Sequence, residues 1–242
     1  KGLSSSTIVN YLADLRAFRR WAGSVVSPNF CLLDTTQEHS RRYRYFLVQE
    51  QARAVSTTNR HLMSLRKFFA FATLRGLSPR DPAAEVAIVH EQCPPSAKIL
   101  TEEEIQKLLK AARIGSRAGL VRRDIAIIQL LVDTGLRLSE VVDLQKTDLI
   151  FDFPGIHLRV RLKSTNESTR DLPMSGDLCK VIDDYLTVRP ESRADNLFLS
   201  QEGRSLSPRT VQRIISDCSQ LAGINGVSAQ SIRRTFAVRL FI

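Results

Sequence analysis

Two arginines far apart in the chain sit in short segments of similar make: Arg137 in Thr134-Gly135-Leu136-Arg137-Leu138-Ser139-Glu140, and Arg233 in Gln230-Ser231-Ile232-Arg233-Arg234-Thr235-Phe236-Ala237. A guanidinium is a planar fork that stays charged at any accessible pH and pairs bidentately with phosphate oxygens. Two such forks, each leading a short apolar helical stretch, suit a grip on one phosphate from both sides. Cleaving a phosphodiester without a metal needs such cations, because charge builds on the phosphorus oxygens in the transition state, where a preorganised donor is worth about 3 to 4 kcal/mol. Glu140 follows Arg137 by one helical turn, so its carboxylate can orient the guanidinium. Arg137 paired with Glu140 or Asp133 in an ordinary ion pair would read the same way. Lys163 ends an alternating segment just before a turn, where a long side chain could swing from a hairpin tip into a cleft.

The charge balance points the same way. Lys plus Arg number 35 against 25 Asp plus Glu, a net +10, which favours a polyanion as partner and nucleic acid first. Residues 1–90 carry 13 basic and 6 acidic side chains (+7), and residues 91–242 carry 22 and 19 (+3), so the front segment is the stronger magnet. Cys31, Cys93, Cys179 and Cys218 are scattered without Cys-x-x-Cys spacing or neighbouring His, so neither a disulfide framework nor a zinc site is indicated. The longest apolar run, Ile125 to Val132, is broken by Gln129 and falls far short of the roughly 20 residues that span a bilayer. No cofactor, metal or membrane is expected, and a reducing cytoplasm fits.

Periodicity supplies the elements that must position these groups. Ile8, Tyr11, Leu12, Leu15, Phe18 and Trp21 form a helical stripe over residues 6–22, with Ser4, Ser5 and Ser6 as caps. A second helix is expected from Thr36 to Arg53, and a third after Val55, capped by Ser56-Thr57-Thr58 and ended by Gly76. Prolines 79, 82, 94 and 95 mark a turn and a linker. Thr101-Glu102-Glu103-Glu104 is a capping box opening the helix 105–113. Helices follow over 123–133 and 139–144, with Gly135 breaking them apart. Ile156, Leu158, Val160 and Leu162 alternate with His157, Arg159, Arg161 and Lys163 as a half-buried strand, and 169–172 returns beside it after a turn at 165–168. Helices close the chain over 178–186 and from Ser207-Pro208 to Leu221.

In order and spacing, the Arg137 segment, the Lys163 hairpin and the Arg233 segment resemble the tyrosine recombinases, the phage-integrase and Xer-like family of site-specific DNA recombinases. The resemblance implies a mainly α chain with a small antiparallel β-sheet in the second domain. Residues 1–92 would be a helical, SAM-like core-binding domain, 93–99 a linker, and 100–242 the catalytic domain. The two domains would close on duplex DNA as a C-shaped clamp. By resemblance Arg137 and Arg233 clamp the phosphate, Lys163 is the general acid for the departing 5′ hydroxyl, and Glu140 supports Arg137. Groove contacts would come from Ser6, Thr7 and Asn10 and from Ser56, Thr57, Asn59 and Arg60, while Arg41, Arg42, Arg44 and Arg53 face phosphates. Those serines and threonines could equally be plain helix caps. His39, His61, His90 and His157 read as structural or surface groups.

Two departures stand out. Gln230 occupies the position where the family most often has histidine; it can donate and accept hydrogen bonds but cannot exchange a proton near neutral pH. The nucleophilic tyrosine should follow Arg233, yet Tyr11, Tyr43, Tyr45 and Tyr185 all precede it. The expectation is therefore a chain truncated at its C-terminus and short at its N-terminus, which binds DNA without cleaving it. The whole protein would form a 3′-phosphotyrosyl intermediate that conserves bond energy without ATP, within a homo- or hetero-tetramer on two DNA sites. The alternative is a catalytically inactive DNA-binding or regulatory protein with the recombinase fold. A monomeric enzyme like the type IB topoisomerases ranks third.

Overall fold

The computed structural model describes residues 5–90, 98–115, 119–152, 155–161 and 169–241. Lys163, the turn expected at 165–168, the cap residue Ser4 and most of the linker at 93–99 lie outside them, as do the side chains of Ser5 and Ser6. The chain divides into two compact units, Lys1–Pro95 and Ser96–Ile242.

The first unit is built on helices α1 (Ser5–Val25), α2 (Gln37–Tyr45) and α3 (Val55–Leu74). Its core is aromatic: Phe18, Trp21, Phe30, Tyr43 and Phe69 are buried, with the Phe18 and Tyr43 rings edge to face at 4.9 Å between centroids. The stripe expected along α1 is buried only in its C-terminal half, because the aromatic cluster meets Phe18 and Trp21, whereas Ile8 and Leu12 stay 45% and 44% exposed. Asp14, on the same helix, is buried instead. Arg60 Nη1 donates to both its oxygens at 2.6 Å, and the Ser64 hydroxyl donates to Oδ2 at 2.7 Å. His61 Nε2 lies 3.5 Å from Asp14 Oδ1, with Tyr43 OH 3.2 Å from its Nδ1. Burial holds the His61 pKa below its ordinary value, although the Asp14 charge pulls the other way.

Two expectations for this unit are corrected. The second helix does not run to Arg53: it widens into a π turn over Phe46–Glu50 and reverses through Ala52, whose φ is 44°, with Arg53 N bonded back to Leu47 O. The third helix begins at Val55 with Ala54 as an N-cap that has no side-chain bond. Ser56, Thr57 and Thr58 therefore fall inside its first turn, which closes through Thr58 N to Ala54 O at 3.0 Å.

In the second unit, α4 (Glu102–Gly115) opens on the expected capping box: Glu104 N donates to Thr101 Oγ1 and Thr101 N to Glu104 Oε2. Helix α5 (Val121–Thr134) is central, with Ala126, Ile127, Ile128, Leu130 and Leu131 all essentially inaccessible. Packed around it are α4, α7 (Gly176–Leu186), α8 (Pro208–Leu221) and α9 (Ala229–Arg239), while the short α6 (Leu138–Asp143) follows the Gly135 break and packs on α8. A three-stranded antiparallel sheet, β1 (Leu149–Asp152), β2 (Gly155–Arg161) and β3 (Thr169–Pro173), runs in sequence order. β1 was not anticipated: four residues are too short a run for alternation to register.

Candidate functional site

The break between α5 and α6 depends on one glycine. Gly135 caps α5 in the left-handed region at φ 58°, where L side chains are strained. A Cβ there would lie 2.4 Å from Phe236 Cδ1, so the missing side chain also lets α9 pack against the turn. Helix α9 is fixed by buried Ser231, Ile232 and Thr235, whose hydroxyl accepts from Leu100 N at 2.9 Å. The two arginine segments are thus neighbours because α9 rests on the end of α5.

Arg137 is the N-cap residue of α6 and Glu140 its third residue. Glu140 Oε2 accepts from Arg137 N at 2.8 Å, and Oε1 from Arg137 Nη1 at 3.1 Å. Arg233 Nη1 donates to the Gly135 carbonyl at 2.7 Å and lies 4.0 Å from Glu140 Oε2. Asp133, the other partner considered for Arg137, is taken by Ser175 and Gln129. A third guanidinium, which sequence reasoning missed, comes from β3: Arg170 Nη2 donates to Glu140 Oε2 at 3.1 Å. Its signal was present in the pattern, since Arg170 is in phase with Leu172 on the strand's inner face.

Glu140 is the hub, with its side chain 6% exposed, while those of Arg137, Arg170 and Arg233 are 60%, 33% and 31% exposed. Among the described residues, three cations around one carboxylate leave a net surplus of two positive charges, enough to attract an anion at a partly desolvated place. Burial, and next the repulsion of Arg137, lower the Arg233 pKa from the ordinary guanidinium value, while Glu140 opposes the shift. An incoming phosphate would relieve that repulsion. Gln230 is exposed in the first turn of α9, one turn before Arg233. Among the described residues no cluster of three or more His, Cys, Asp or Glu could hold a metal.

The other candidates are in the first unit. Thr7 and Thr57 are half-buried, and Asn10 and Ser56 exposed. The Asn59 side chain is engaged by the Val89 backbone through both its oxygen and its nitrogen, and Arg60 is paired with Asp14, so both have structural roles to fill. Arg41, Arg42 and Arg53 are exposed and Arg44 half-buried. Of the tyrosines, Tyr43 and Tyr185 are buried, and burial raises the pKa of both phenols; the Tyr185 hydroxyl donates to Leu197 O. No described helix is long and apolar enough to cross a membrane.

Comparison with known proteins fits this geometry. Residues 98–241 match the family model described as phage integrase family, and residues 1–76 the one described as phage integrase, N-terminal SAM-like domain. The chain is 27% identical to tyrosine recombinase XerD of Listeria monocytogenes serotype 4b (strain F2365), over 99% of this chain and 80% of that protein. It is 30% identical to tyrosine recombinase XerC of Myxococcus xanthus, over 99% and 79%. Among solved structures, XerH site-specific recombinase bound to palindromic difH substrate superposes with a TM-score of 0.80 at 18% identity, covering 97% of this chain and 68% of that one. A lambda integrase dimer bound to a COC′ core site gives 0.74 at 19%, covering 98% and 64%.

Proposed function

Since the chain belongs to the phage integrase family of tyrosine recombinases, we propose that it is the DNA-gripping part of a site-specific recombinase that cleaves and rejoins duplex DNA through a 3′-phosphotyrosyl intermediate. The single observation that carries this reading is the convergence of Arg137, Arg170 and Arg233 on Glu140. A phosphodiester carries one negative charge, and a pentacoordinate transition state about two. A centre with that net surplus of two positive charges therefore matches the transition state better than the ground state, which is the condition for catalysis rather than mere binding.

In this reading Arg137 and Arg233 hold the non-bridging oxygens and Glu140 orients their forks. Lys163 protonates the departing O5′ as the phosphorus bond to it breaks. Gln230, at the mouth of the same helix, can hydrogen-bond the phosphate without trading protons. The attacking hydroxyl is assigned to none of the four tyrosines present. Tyr43 and Tyr185 are buried with their hydroxyls engaged, and Tyr11 and Tyr45, like them, precede Arg233, whereas the family's nucleophile follows it. The 242-residue chain thus binds and does not cleave.

The two units, with residues 1–92 as core-binding domain, 93–99 as linker and 100–242 as catalytic domain, are each proposed to contact duplex DNA. Ser6, Thr7, Asn10, Ser56 and Thr57 would face the groove, with Asn59 and Arg60 beside them, and Arg41, Arg42, Arg44 and Arg53 the backbone. A homo- or hetero-tetramer would assemble on two sites in the cytoplasm, with no metal or cofactor. The 242-residue chain is expected to retard duplex DNA on a native gel, with affinity falling steeply as salt rises, and to leave no SDS-resistant adduct. Salt-independent binding, or no binding at low salt, would count against the reading.

Gln230 favours a second reading, a DNA-binding protein that kept the fold and lost the chemistry. The two are separated in the full-length gene product by Gln230→His, which should maintain or raise the rate of covalent complex formation on a nicked suicide duplex. A drop of about tenfold or more would mean the centre is tuned around glutamine, and no adduct from either protein would support the binding-only reading.

A further inference from the structure

In the first unit, α3 reaches α1 through one buried carboxylate. Asp14 is 3% exposed, and its oxygens accept from Arg60 Nη1 at 2.6 Å and from the Ser64 hydroxyl at 2.7 Å. The Arg60 side chain itself stays 44% exposed. Only Nη1 is engaged by the carboxylate. Nε and Nη2, whose N–H bonds run parallel along the other edge of the guanidinium, meet no acceptor among the described residues. Ser56, one turn earlier on the same face of α3, is exposed as well. His61 lies 3.5 Å from Asp14, but burial lowers its pKa, so the ring is neutral at pH 7 and Arg60 carries the full charge that faces the carboxylate. Two further guanidinium groups are close by: burial, and next the Asp14 charge, raise the Tyr43 pKa, while Arg53, Arg20 and Arg60 all oppose that shift. Arg20 and Arg53 are exposed, so the open edge of Arg60 stands in a positive field.

A buried ion pair adds little stability, because desolvating the charges offsets most of their attraction and apolar residues would pack as well. What the Asp14 pair does fix is a direction. An arginine that only adds charge beside a phosphate needs no such hold, whereas two parallel bonds to a base edge require the fork to be aimed within about 10–20°. Guanine is the base that offers two acceptors, N7 and O6, side by side in the major groove, and a guanidinium edge matches them bidentately. We propose that Asp14 is a positioning residue for DNA recognition: it holds Arg60 so that the Nε–Nη2 edge reads N7 and O6 of one guanine in the target site. The proposal rests on the recombinase reading above. The bond from Arg60 to Asp14 and its contact with DNA are then two edges of one side chain, the first aiming the second.

The test uses the full-length gene product as wild type, as Asp14→Asn, and as Asp14→Asn with Arg60→Ala, where the pair is removed together so that no buried charge is left alone. Target duplexes are selected from a random library by each protein. Each preferred guanine is then replaced by 7-deazaguanine, which carries C–H in place of N7 and still pairs with cytosine. The readouts are base preference at each position, affinity and the melting temperature. Wild type should prefer guanine at one position by about tenfold and lose about threefold or more in affinity when its N7 is removed. Asp14→Asn should reduce both effects to about twofold or less at that position alone, although Arg60 and its charge remain, and the double variant should add nothing further. An Asp14 that only braced the fold would lower the melting temperature and weaken all sequences alike. If the asparagine variant melts too low to assay, Ser64→Ala, which releases one carboxylate oxygen, carries the comparison and should lower the preference part of the way. The proposal is overturned by a preference left intact in the variant assayed, or by a wild type indifferent to loss of N7. Uniform weakening across all sequences in the double variant overturns it too, because it puts Arg60 on a phosphate. Wild-type protein that binds duplex DNA without sequence preference, or does not bind it, fails the recombinase reading itself before any variant is compared.

Discussion

Replacing Arg233 by alanine in the full-length gene product is expected to slow covalent complex formation on a suicide duplex by about a hundredfold or more, the loss that follows removal of one preorganised donor from a developing oxyanion. Binding of the same duplex should change far less, because many phosphate contacts share it. The side chain is 31% exposed and donates to the Gly135 carbonyl, which water can reach once the fork is gone, so the melting temperature should move little. Arg233→Lys separates charge from shape: a lysine keeps the positive charge but offers no planar pair of donors, and it should recover only part of the rate. Undiminished adduct formation by Arg233→Ala would remove the phosphate clamp from the assignment.

Gly135→Ala should produce the second large effect, on stability and activity together. At φ 58° the left-handed conformation costs an L residue about 1–2 kcal/mol. The new Cβ would sit 2.4 Å from Phe236 Cδ1 and 2.9 Å from its Cγ, an overpacking that typically costs about 1–3 kcal/mol more. The second unit should therefore lose on the order of 2–5 kcal/mol, a fall of roughly 10 °C in its melting temperature for a domain of this size. Adduct formation should suffer beyond this, even at temperatures where the variant is folded. Phe236 is on α9 three residues from Arg233, and pushing the ring away moves the helix that aims the guanidinium. Adding Phe236→Leu should recover the packing part of the stability and not the backbone part, which a double-mutant cycle reads directly. A Gly135→Ala variant melting like the wild type would show that α9 can shift away from the turn at no cost.

The helices of this protein were legible because their signals are local. The Thr101–Glu104 box, Gly135 and Ser207-Pro208 each act on backbone groups within a few residues, and they start or stop helices where expected. The π turn at Phe46–Glu50 and the uncapped start at Val55 were hidden because they express a compromise between the aromatic core and the chain reversal at Ala52, not a residue preference. The arginines at 137 and 233 were nameable from their segments, and Glu140 from its spacing to Arg137. Arg170 was not, although it sits in a strand that was anticipated.

Sequence by itself determined which residues carry charge, where the helices with local start and stop signals begin and end, and that two guanidinium segments resemble a phosphate clamp. Tertiary structure alone decided that these groups share one carboxylate. That outcome follows from Phe236 packing over a glycine that has no Cβ, and from a strand register that turns Arg170 toward Glu140 rather than toward solvent. Each depends on contacts between residues remote along the chain, whose energies are set by close packing and not by local preference. One carboxylate facing three cations is therefore a property of the fold, while the cations themselves are a property of the sequence.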